Sequence, residues 1–317
     1  MKIIGIDIGG TKCGVILAEY KNEQVNFIDK SSFLTSDFSS PSEIIAKLIE
    51  ITSKIIDKTV ISIGINCGGP LNTKQGIILC PPNLKGWINI PIVKYFKDSF
   101  NIPCYLQNDA NAGAIAEYLF GVGKGCENII FLTHGTGMGA GLILNGKLYS
   151  GTNDMAGEVG HIRLERFGPV GFGKAGSFEG FCSGGGIARL AQQMIIEKLQ
   201  IGEVVNFCEK NITTETLANA AKNGDKLALE VFEISGKYLG RAIALLIDIL
   251  NPELILLGSI YKKCGDLLEP SMIREIKKEA ILFSQNVCKI KACGLGDSIN
   301  DYEAVSIAIY NELQLKC

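Results

Sequence analysis

Two glycine-rich turns stand where the chain can hold a polyphosphate. The first is Asp7-Ile8-Gly9-Gly10-Thr11-Lys12, between two strand-like runs, and the second is Gly135-Thr136-Gly137-Met138-Gly139. Each offers backbone N–H groups and a threonine hydroxyl to phosphate, and Asp7 adds a carboxylate for its metal ion. Either turn alone is a weak signal of phosphate binding, because glycine-rich turns usually serve only to let the backbone reverse direction. Together they indicate nucleotide chemistry, and neither matches a P-loop, since both join strand to strand.

A second candidate is the acid in Gln107-Asn108-Asp109-Ala110-Asn111, which leads into a predicted helix over 110–120. The simpler explanation is that Asn108 or Asp109 is the helix N-cap. The functional alternative is that Asp109 is a general base. The dipole at a helix N-terminus stabilises a carboxylate, so Asp109 is expected to stay ionised near neutral pH and to accept a proton from an alcohol. Both interpretations remain open at this stage.

Polar side chains in later glycine-rich loops suggest a sugar ligand. Gly157-Glu158-Val159-Gly160-His161 follows the second turn, and Glu179 lies in Gly176-Ser177-Phe178-Glu179-Gly180. A histidine and two acids provide the donors and acceptors that sugar hydroxyls need. Taken alone, however, a single histidine is more often structural. The turn-rich loop 81–87, with the only tryptophan, is either part of a pocket rim or a surface loop whose Trp87 caps the core.

The elements that must position these residues alternate between strands and helices. The strand–turn–strand pattern around the first turn recurs around the second, which implies a duplicated fold, and Asn145-Gly146 adds a tight-turn signal. The pattern as a whole predicts an α/β protein. The predicted strands cover 2–8, 13–18, 60–66, 128–134, 140–144 and 253–257, and the predicted helices cover 41–57, 110–120, most of 215–250, and 302–315.

Bulk properties limit the partners. A chain of 317 residues suggests two domains and a cleft. Lysine plus arginine number 31 against 33 acids, so no basic field is available for nucleic acid. Asp7 in the first apolar run argues against a secretory signal, and Asp248 interrupts the longest apolar stretch, 242–257. We therefore expect a soluble, cytoplasmic protein that binds neither membrane nor nucleic acid.

The pattern of the eleven cysteines does not predict disulfide bonds. Their number is odd, and no Cys-x-x-Cys pair occurs. In a cytosolic protein most of them are expected to be small buried residues with free thiols, such as Cys13, Cys67 and Cys104.

The order of four motifs resembles the ROK family of sugar kinases and sugar-responsive repressors. The motifs are Asp-Ile-Gly-Gly-Thr-Lys, Asn-Asp-Ala-Asn-Ala, Gly-Thr-Gly-Met-Gly-Ala-Gly and Gly-Glu-Val-Gly-His, and the match spans nearly the whole chain. The resemblance implies an actin-like, Hsp70-like ATPase fold of the ribonuclease H-like type, with ATP and sugar in a central cleft between two α/β lobes. The expected lobes are 1–112, rejoined by a C-terminal helix at 302–317, and 113–301.

The resemblance also implies roles for individual residues. Asp109 would be the catalytic base, and Asp7 would coordinate Mg²⁺ through water. The residues expected at the sugar are Gly69, Asn83, Asn108, Asp109, Glu158, His161 and Glu179. The residues expected at ATP are Gly9, Gly10, Thr11, Lys12, Thr136, Gly137, Gly258 and Ser259, where the last two form a turn beside adenosine.

Two departures from the family pattern matter. Family members with a structural zinc carry three cysteines between the histidine and the second glutamate, where this chain has Gly171, Gly173 and Ser177. His161 and Cys182 make at best half of a four-ligand site, so we predict no zinc, and what holds the ring of His161 is open. The second departure is Gly258-Ser259, where a run of glycines is more usual.

The expected activity is ATP-dependent phosphorylation of the 6-hydroxyl of an aldohexose or N-acetylhexosamine, with glucose and N-acetylmannosamine as leading substrates and a homodimer as the expected assembly. Gly69-Pro70 resembles the glucokinase branch. A sugar-sensing repressor is the rival, but Asp7 falls in the first strand, which leaves no room for a preceding DNA-binding module. A sugar-binding regulator without kinase activity is a third possibility, and the intact Asp109 and phosphate turns weaken it.

Overall fold

The computed structural model describes residues 1–205, 207 and 211–315. The strands are β1 Lys2–Ile8, β2 Lys12–Lys21, β3 Gln24–Leu34, β4 Val60–Cys67, β5 Leu71–Asn72, β6 Ile77–Ile78, β7 Cys104–Gln107, β8 Ile129–Leu132, β9 Ala140–Leu144, β10 Lys147–Leu148, β11 Val170–Gly171, β12 Lys174–Ala175, β13 Leu254–Leu257 and β14 Lys289–Ala292.

The helices are α1 Pro41–Ile55, α2 Ile92–Phe100, α3 Asp109–Phe120, α4 Phe178–Cys182, α5 Gly184–Gln200, α6 Thr214–Lys222, α7 Lys226–Leu250, α8 Ser259–Glu279, α9 Leu282–Gln285 and α10 Ile299–Gln314. Short 3₁₀ turns occur at Thr35–Asp37, Val159–His161 and Gly296–Ser298. In the part of the chain that the structure describes, no helix is long and apolar enough to cross a membrane.

The chain forms two compact units. One contains Met1–Cys126, Gly141–Ala156 and Gly294–Cys317, and the other contains Glu127–Ala140 and Gly157–Cys293. We call them the first and the second unit. The predicted lobe boundary after residue 112 remains a prediction about folding domains.

The first unit is built on a five-stranded sheet with the order β3-β2-β1-β4-β7. β1 is antiparallel to β2 and parallel to β4, which in turn is parallel to β7. Because the three parallel strands end at the same edge, the residues that follow them meet there. α10 packs directly on this sheet at two glycines: a Cβ at Gly64 would lie 2.4 Å from the carbonyl oxygen of Ala304, and one at Gly5 would lie 2.8 Å from Val305.

The second unit has a parallel core in which β13 lies between β8 and β14. All four residues of β8 and of β13 are buried. The long helix α7 packs against α8 and against α4. This pattern fits strands that are covered by helices and are therefore apolar throughout.

Hydrophobic patterning predicted most of the elements that flank the site. β1 and β9 have the predicted bounds, and α1, α3, β4 and α10 lie within a few residues of theirs. The Asn145-Gly146 turn joins β9 to β10, and both of its residues have positive φ, as a tight hairpin requires. The region 215–250 contains two helices, α6 and α7, and β3, α2, α5 and α8 were not predicted.

Candidate active site

The parallel strands of the first unit bring three polar residues together. Asp7 lies at the end of β1, and Asn66 is its register partner on β4. Asp109 comes two residues after the end of β7. The amide of Asn66 donates from Nδ2 to Oδ1 of Asp7 at 3.1 Å. Asp7 and Asp109 are close enough that the charge of Asp109 helps to raise the pKa of Asp7, so the predicted Mg²⁺ ligand and the predicted base share one site.

Glu303 on α10 is a third acid at this site, and the sequence did not single it out. Its Oε2 accepts from the same Nδ2 of Asn66 at 3.3 Å, so one amide bridges Asp7 and Glu303. Burial raises the pKa of Glu303 well above its ordinary value, and the charges of Asp109 and Asp7 raise it further. The contact of Glu303 with this site is hard to predict from the sequence, because Asn66 and Glu303 lie 237 positions apart in the chain.

The pKa of Asp7 is raised to about 6. Burial is the main cause, the hydrogen bond from Asn66 opposes it, and the charge of Asp109 adds to it. A desolvated carboxylate of this kind gains from a nearby cation, because the cation offsets the cost of its charge.

Asp109 is the first residue of α3, and Asn108 is the N-cap. Oδ1 of Asn108 accepts from the backbone N–H of Asn111 at 2.8 Å, and Oδ1 of Asp109 accepts from that of Ala110 at 2.8 Å. Asp109 is accessible to solvent, but protein surrounds it closely enough that desolvation raises its pKa. The bond from Ala110 at the helix terminus lowers this pKa, as expected for a helix N-terminus, but burial raises it by more, so the net shift is upward.

The first glycine turn is held by its own backbone and stays open. The N–H of Gly9 bonds to the carbonyl of Lys12 at 3.1 Å, while Gly10, Thr11 and Lys12 are exposed. A Cβ at Gly10 would lie 2.7 Å from the carbonyl oxygen of Asn83, so the loop 81–87 lies against this turn.

The remaining predicted residues of the first unit lie in different surroundings. Asn83 is exposed, whereas Trp87 in the same loop is only 2% exposed, which matches the alternative that it caps the core. Gly69 has no neighbouring atom within 4 Å of a Cβ position, so its backbone faces open space. Cys13, Cys67 and Cys104 are buried, as predicted.

The second unit gathers the second glycine turn, Glu158–His161 and Glu179. Oε2 of Glu179 accepts from the backbone N–H of Met138 at 3.2 Å and would lie 3.1 Å from a Cβ at Gly137. A Cβ at Gly160 would lie 2.2 Å from the carbonyl oxygen of Met138, so the two loops are in close backbone contact. A predicted sugar residue, Glu179, therefore contacts the predicted phosphate turn.

Two long helices begin against the second turn. The N–H of Gly184, at the start of α5, bonds to the carbonyl of Gly135 at 2.8 Å, and that of Ile260, in the first turn of α8, bonds to the carbonyl of His134 at 3.0 Å. The ring of His134 is fully buried and bonds through Nε2 to the carbonyl of Cys182 at 3.1 Å. Helix N-termini favour anions, which suits a phosphate site.

The sequence predicted a turn at Gly258-Ser259, and this prediction is wrong. These residues form the N-terminus of α8, with Gly258 as its N-cap. A side chain at Gly258 would overlap the carbonyl of Thr133, which explains the glycine. The start of α5, Gly184-Gly185-Gly186 after the N-cap Ser183, is a part of the site that sequence reasoning missed. Ser183 is a recognisable N-cap residue, whereas the three glycines that follow it are poor helix formers and hide the helix start.

His161 ends a short 3₁₀ turn and is held by the β11–β12 hairpin. Nζ of Lys174 donates to the carbonyl of His161 at 2.6 Å. The ring of Phe172 meets the imidazole edge to face, with centroids 5.0 Å apart. Glu158, three residues before His161, is exposed.

The residues present fit Mg²⁺ and do not fit zinc. Asp7 and the Oδ1 of Asn66 are oxygen ligands of the type that Mg²⁺ and its bound waters prefer, and this Oδ1 is buried without a hydrogen-bond partner. Among the residues that the structure describes, no group of three or more His, Cys, Asp or Glu side chains is placed to hold a metal. Next to His161 the hairpin has Gly171 and Gly173, which provide no side-chain ligand.

Known proteins resemble the chain over nearly its whole length. The family model "ROK family" matches residues 3–308. A glucokinase from Halalkalibacterium halodurans is 32% identical over 277 residues, 84% of this chain and 83% of its own. A xylose repressor from Caldicellulosiruptor bescii is 29% identical over 93% of this chain and 75% of its own.

Solved structures agree with this assignment. A ROK family glucokinase from Streptomyces griseus, in complex with glucose and AMPPNP, matches with a TM-score of 0.73 and 26% identity, covering 96% of this chain and 98% of its own. This similarity confirms the actin-like ATPase fold that the motifs predicted. With its glycine turns, its paired acids and this family match, the chain is a member of the ROK family.

Proposed function

We propose that this protein is an ATP-dependent sugar kinase that phosphorylates the 6-hydroxyl of an aldohexose or N-acetylhexosamine, with glucose and N-acetylmannosamine as the leading substrates. The observation that carries the proposal is the pairing of Asp109 with Asp7. Asp109 is accessible to solvent, its pKa is raised, and it interacts electrostatically with an acid that fits a Mg²⁺ site. A base with a raised pKa accepts an alcohol proton more readily than an ordinary carboxylate does.

In this mechanism Asp109 takes the proton from the sugar hydroxyl as the hydroxyl oxygen attacks the γ-phosphorus, and the bond from that phosphorus to the β–γ bridging oxygen breaks, so that ADP leaves. The N–H of Ala110 holds Oδ1 of Asp109 at 2.8 Å, which fixes the carboxylate without using its other oxygen. The sugar is positioned by the backbone of Gly69 and by polar side chains. These side chains are Asn83, Asn108, Glu158, His161 and Glu179.

ATP is bound by the two glycine turns and by the helix start at 258–259. Gly9, Gly10, Thr11, Lys12, Thr136 and Gly137 lie along the phosphates, and Gly258 and Ser259 border adenosine. The exposed Lys12 provides a positive charge and the exposed Thr136 a hydroxyl, and the dipoles at the N-termini of α5 and α8 favour the anionic phosphates. Asp7 would hold Mg²⁺ through water, and this ion would supply charge neutralisation for the phosphates of ATP.

The test is an ATP-coupled assay across hexoses and N-acetylhexosamines, with Asp109→Asn as the diagnostic variant. We expect phosphorylation of at least one sugar and a loss of kcat of about 100-fold or more in the variant, because general-base catalysis is removed while sugar binding survives. Asp225→Asn is the matched control. Asp225 also accepts a bond from a first-turn N–H, that of Ala228 at 2.8 Å, and asparagine caps equally well.

Two outcomes contradict the proposal. Near-normal turnover in Asp109→Asn removes Asp109 as the base. Phosphorylation of no sugar in the panel, with sugar binding retained, favours the alternative of a ROK family regulator without kinase activity. We also expect a homodimer, and light scattering should give twice the chain mass of 34.1 kDa.

A further inference from the structure

The β11–β12 hairpin ends in a turn that carries an unusual residue. Val170 pairs with Ala175 and Gly171 with Lys174, so Phe172 and Gly173 form a two-residue loop. Their φ angles are +43° and +75°. Two positive φ angles suit Asn-Gly, and a phenylalanine there is strained. Phe172 is also 68% exposed, so core packing does not explain it.

The hairpin is anchored firmly at its base. Gly171 lies against α4, since a Cβ there would be 2.4 Å from the backbone nitrogen of Gly180. The guanidinium of Arg163 donates to the carbonyl of Ala175 at 3.0 Å, on the second strand of the hairpin. The turn is therefore presented at a fixed place.

From that place the hairpin holds His161 in two ways. The Phe172 ring meets the imidazole at an interplanar angle of 86°, the favourable edge-to-face arrangement. Lys174 bonds to the backbone carbonyl of the same histidine at 2.6 Å. One contact orients the ring and the other holds the backbone. A strained residue at a contact of this kind indicates a functional role.

We propose that Phe172 and Lys174 are positioning residues that set sugar affinity by fixing His161. The inference rests on the proposed function, in which His161 binds the sugar. Removing either contact leaves His161 free to rotate or shift, and sugar binding then has to restore its position.

The diagnostic variant is Phe172→Asn. It creates the Asn-Gly pair that this turn favours, so we expect the melting temperature to stay the same or to rise. We expect KM for glucose, or for the sugar that the kinase panel identifies, to rise about threefold to tenfold, in line with the loss of one aromatic pair. The kcat should stay within about twofold, because binding common to ground and transition state is lost.

Matched variants separate positioning from other causes. Phe172→Tyr keeps the ring and should restore the wild-type KM. Phe167→Ala removes a phenylalanine that is 72% exposed and contacts Arg166, and it should leave the KM unchanged. Lys174→Met should raise the KM as Phe172→Asn does. If Lys174→Met has no effect, the Phe172 ring contacts the sugar directly and the positioning role is wrong.

Proton NMR tests the contact without any sugar. The chain has only two histidines, so His134 serves as an internal reference. Phe172→Asn should move the imidazole resonances of His161 and leave those of His134 in place. An unmoved His161 signal, or a wild-type KM in an active Phe172→Asn kinase, overturns the inference. If the NMR shift is seen but no sugar is bound or phosphorylated, the proposed function has failed, and the contact itself remains.

Discussion

Asn66 explains how an acid at the end of the sheet and an acid on α10 can be held close together. Its Nδ2 bonds to both Asp7 and Glu303, whose pKa values are both raised, so the cluster carries less negative charge than three ionised carboxylates would. The phosphates of ATP can approach a site with reduced negative charge more easily. A bound cation then stabilises the ionised form of Asp7.

The first prediction concerns Glu303. Its raised pKa means that the folded protein favours the neutral acid, so stability is lost as pH rises above the ordinary carboxyl range. Glu303→Gln keeps an oxygen acceptor for Asn66 and cannot ionise. We therefore expect the melting temperature of this variant, relative to that of the wild type, to increase as the pH is raised from 4 to 8. Thermal unfolding across this range measures the difference, and a constant offset between the proteins contradicts it.

The second prediction concerns His134, whose pKa burial lowers to about 4 from 6.5. Its Nδ1 is buried with no partner, so a proton there has no acceptor. Below pH 6.5 the unfolded chain takes up the proton first, and this residue's contribution to the free energy of unfolding falls by about 3 kcal/mol between pH 6.5 and 4. His134→Asn, which tolerates the φ of +39° at this position, should remove that part of the slope in denaturant titrations. If the free energy of unfolding has the same pH dependence in the two proteins, the prediction is wrong.

α10 is the element that completes the cluster, because it carries Glu303 onto the sheet. Two sheet glycines permit its close approach: Gly64 faces Ala304 and Ala308, and Gly5 faces Val305. Patterning predicted this helix from its apolar spacing, but the partner strands carry no signal of it except those glycines. A glycine inside a strand often marks the close approach of another backbone.

The third prediction tests this packing. Gly64→Ala places a Cβ 2.4 Å from the carbonyl oxygen of Ala304, so α10 must move, and we expect a loss of about 3 kcal/mol in the free energy of unfolding. Gly14→Ala is the control on the same sheet, since its Cβ would have 3.4 Å to the nearest atom. Urea denaturation compares the two. Equal effects would mean that close helix packing is not the reason for Gly64.

At the level of the complete chain, charge bears on the choice between enzyme and regulator. The relatives include both glucokinases and xylose repressors, so the family alone does not decide. The formal net charge is −2 and the calculated pI is about 5.9, which provides no long-range attraction to a nucleic-acid backbone.

The fourth prediction follows from this balance. We expect no gel shift of mixed-sequence duplex DNA, even at about 50 mM salt, where non-specific binding is strongest. The same preparation should be active in the sugar assay. DNA binding without phosphorylation would favour the regulator.

Local chemistry was sufficient for the glycine turns, the N-capping Asn108 with the adjacent Asp109, and most of the elements around them, because turn residues, caps and apolar periodicity act over a few positions. The same logic failed for the start of α8, where Gly258-Ser259 resembled an isolated turn. The bridge from Asn66 to Glu303, the raised pKa of Asp109 and the contact of Phe172 with His161 required the folded chain. Each depends on burial or on neighbours distant in the chain, and neither property is encoded in short-range spacing.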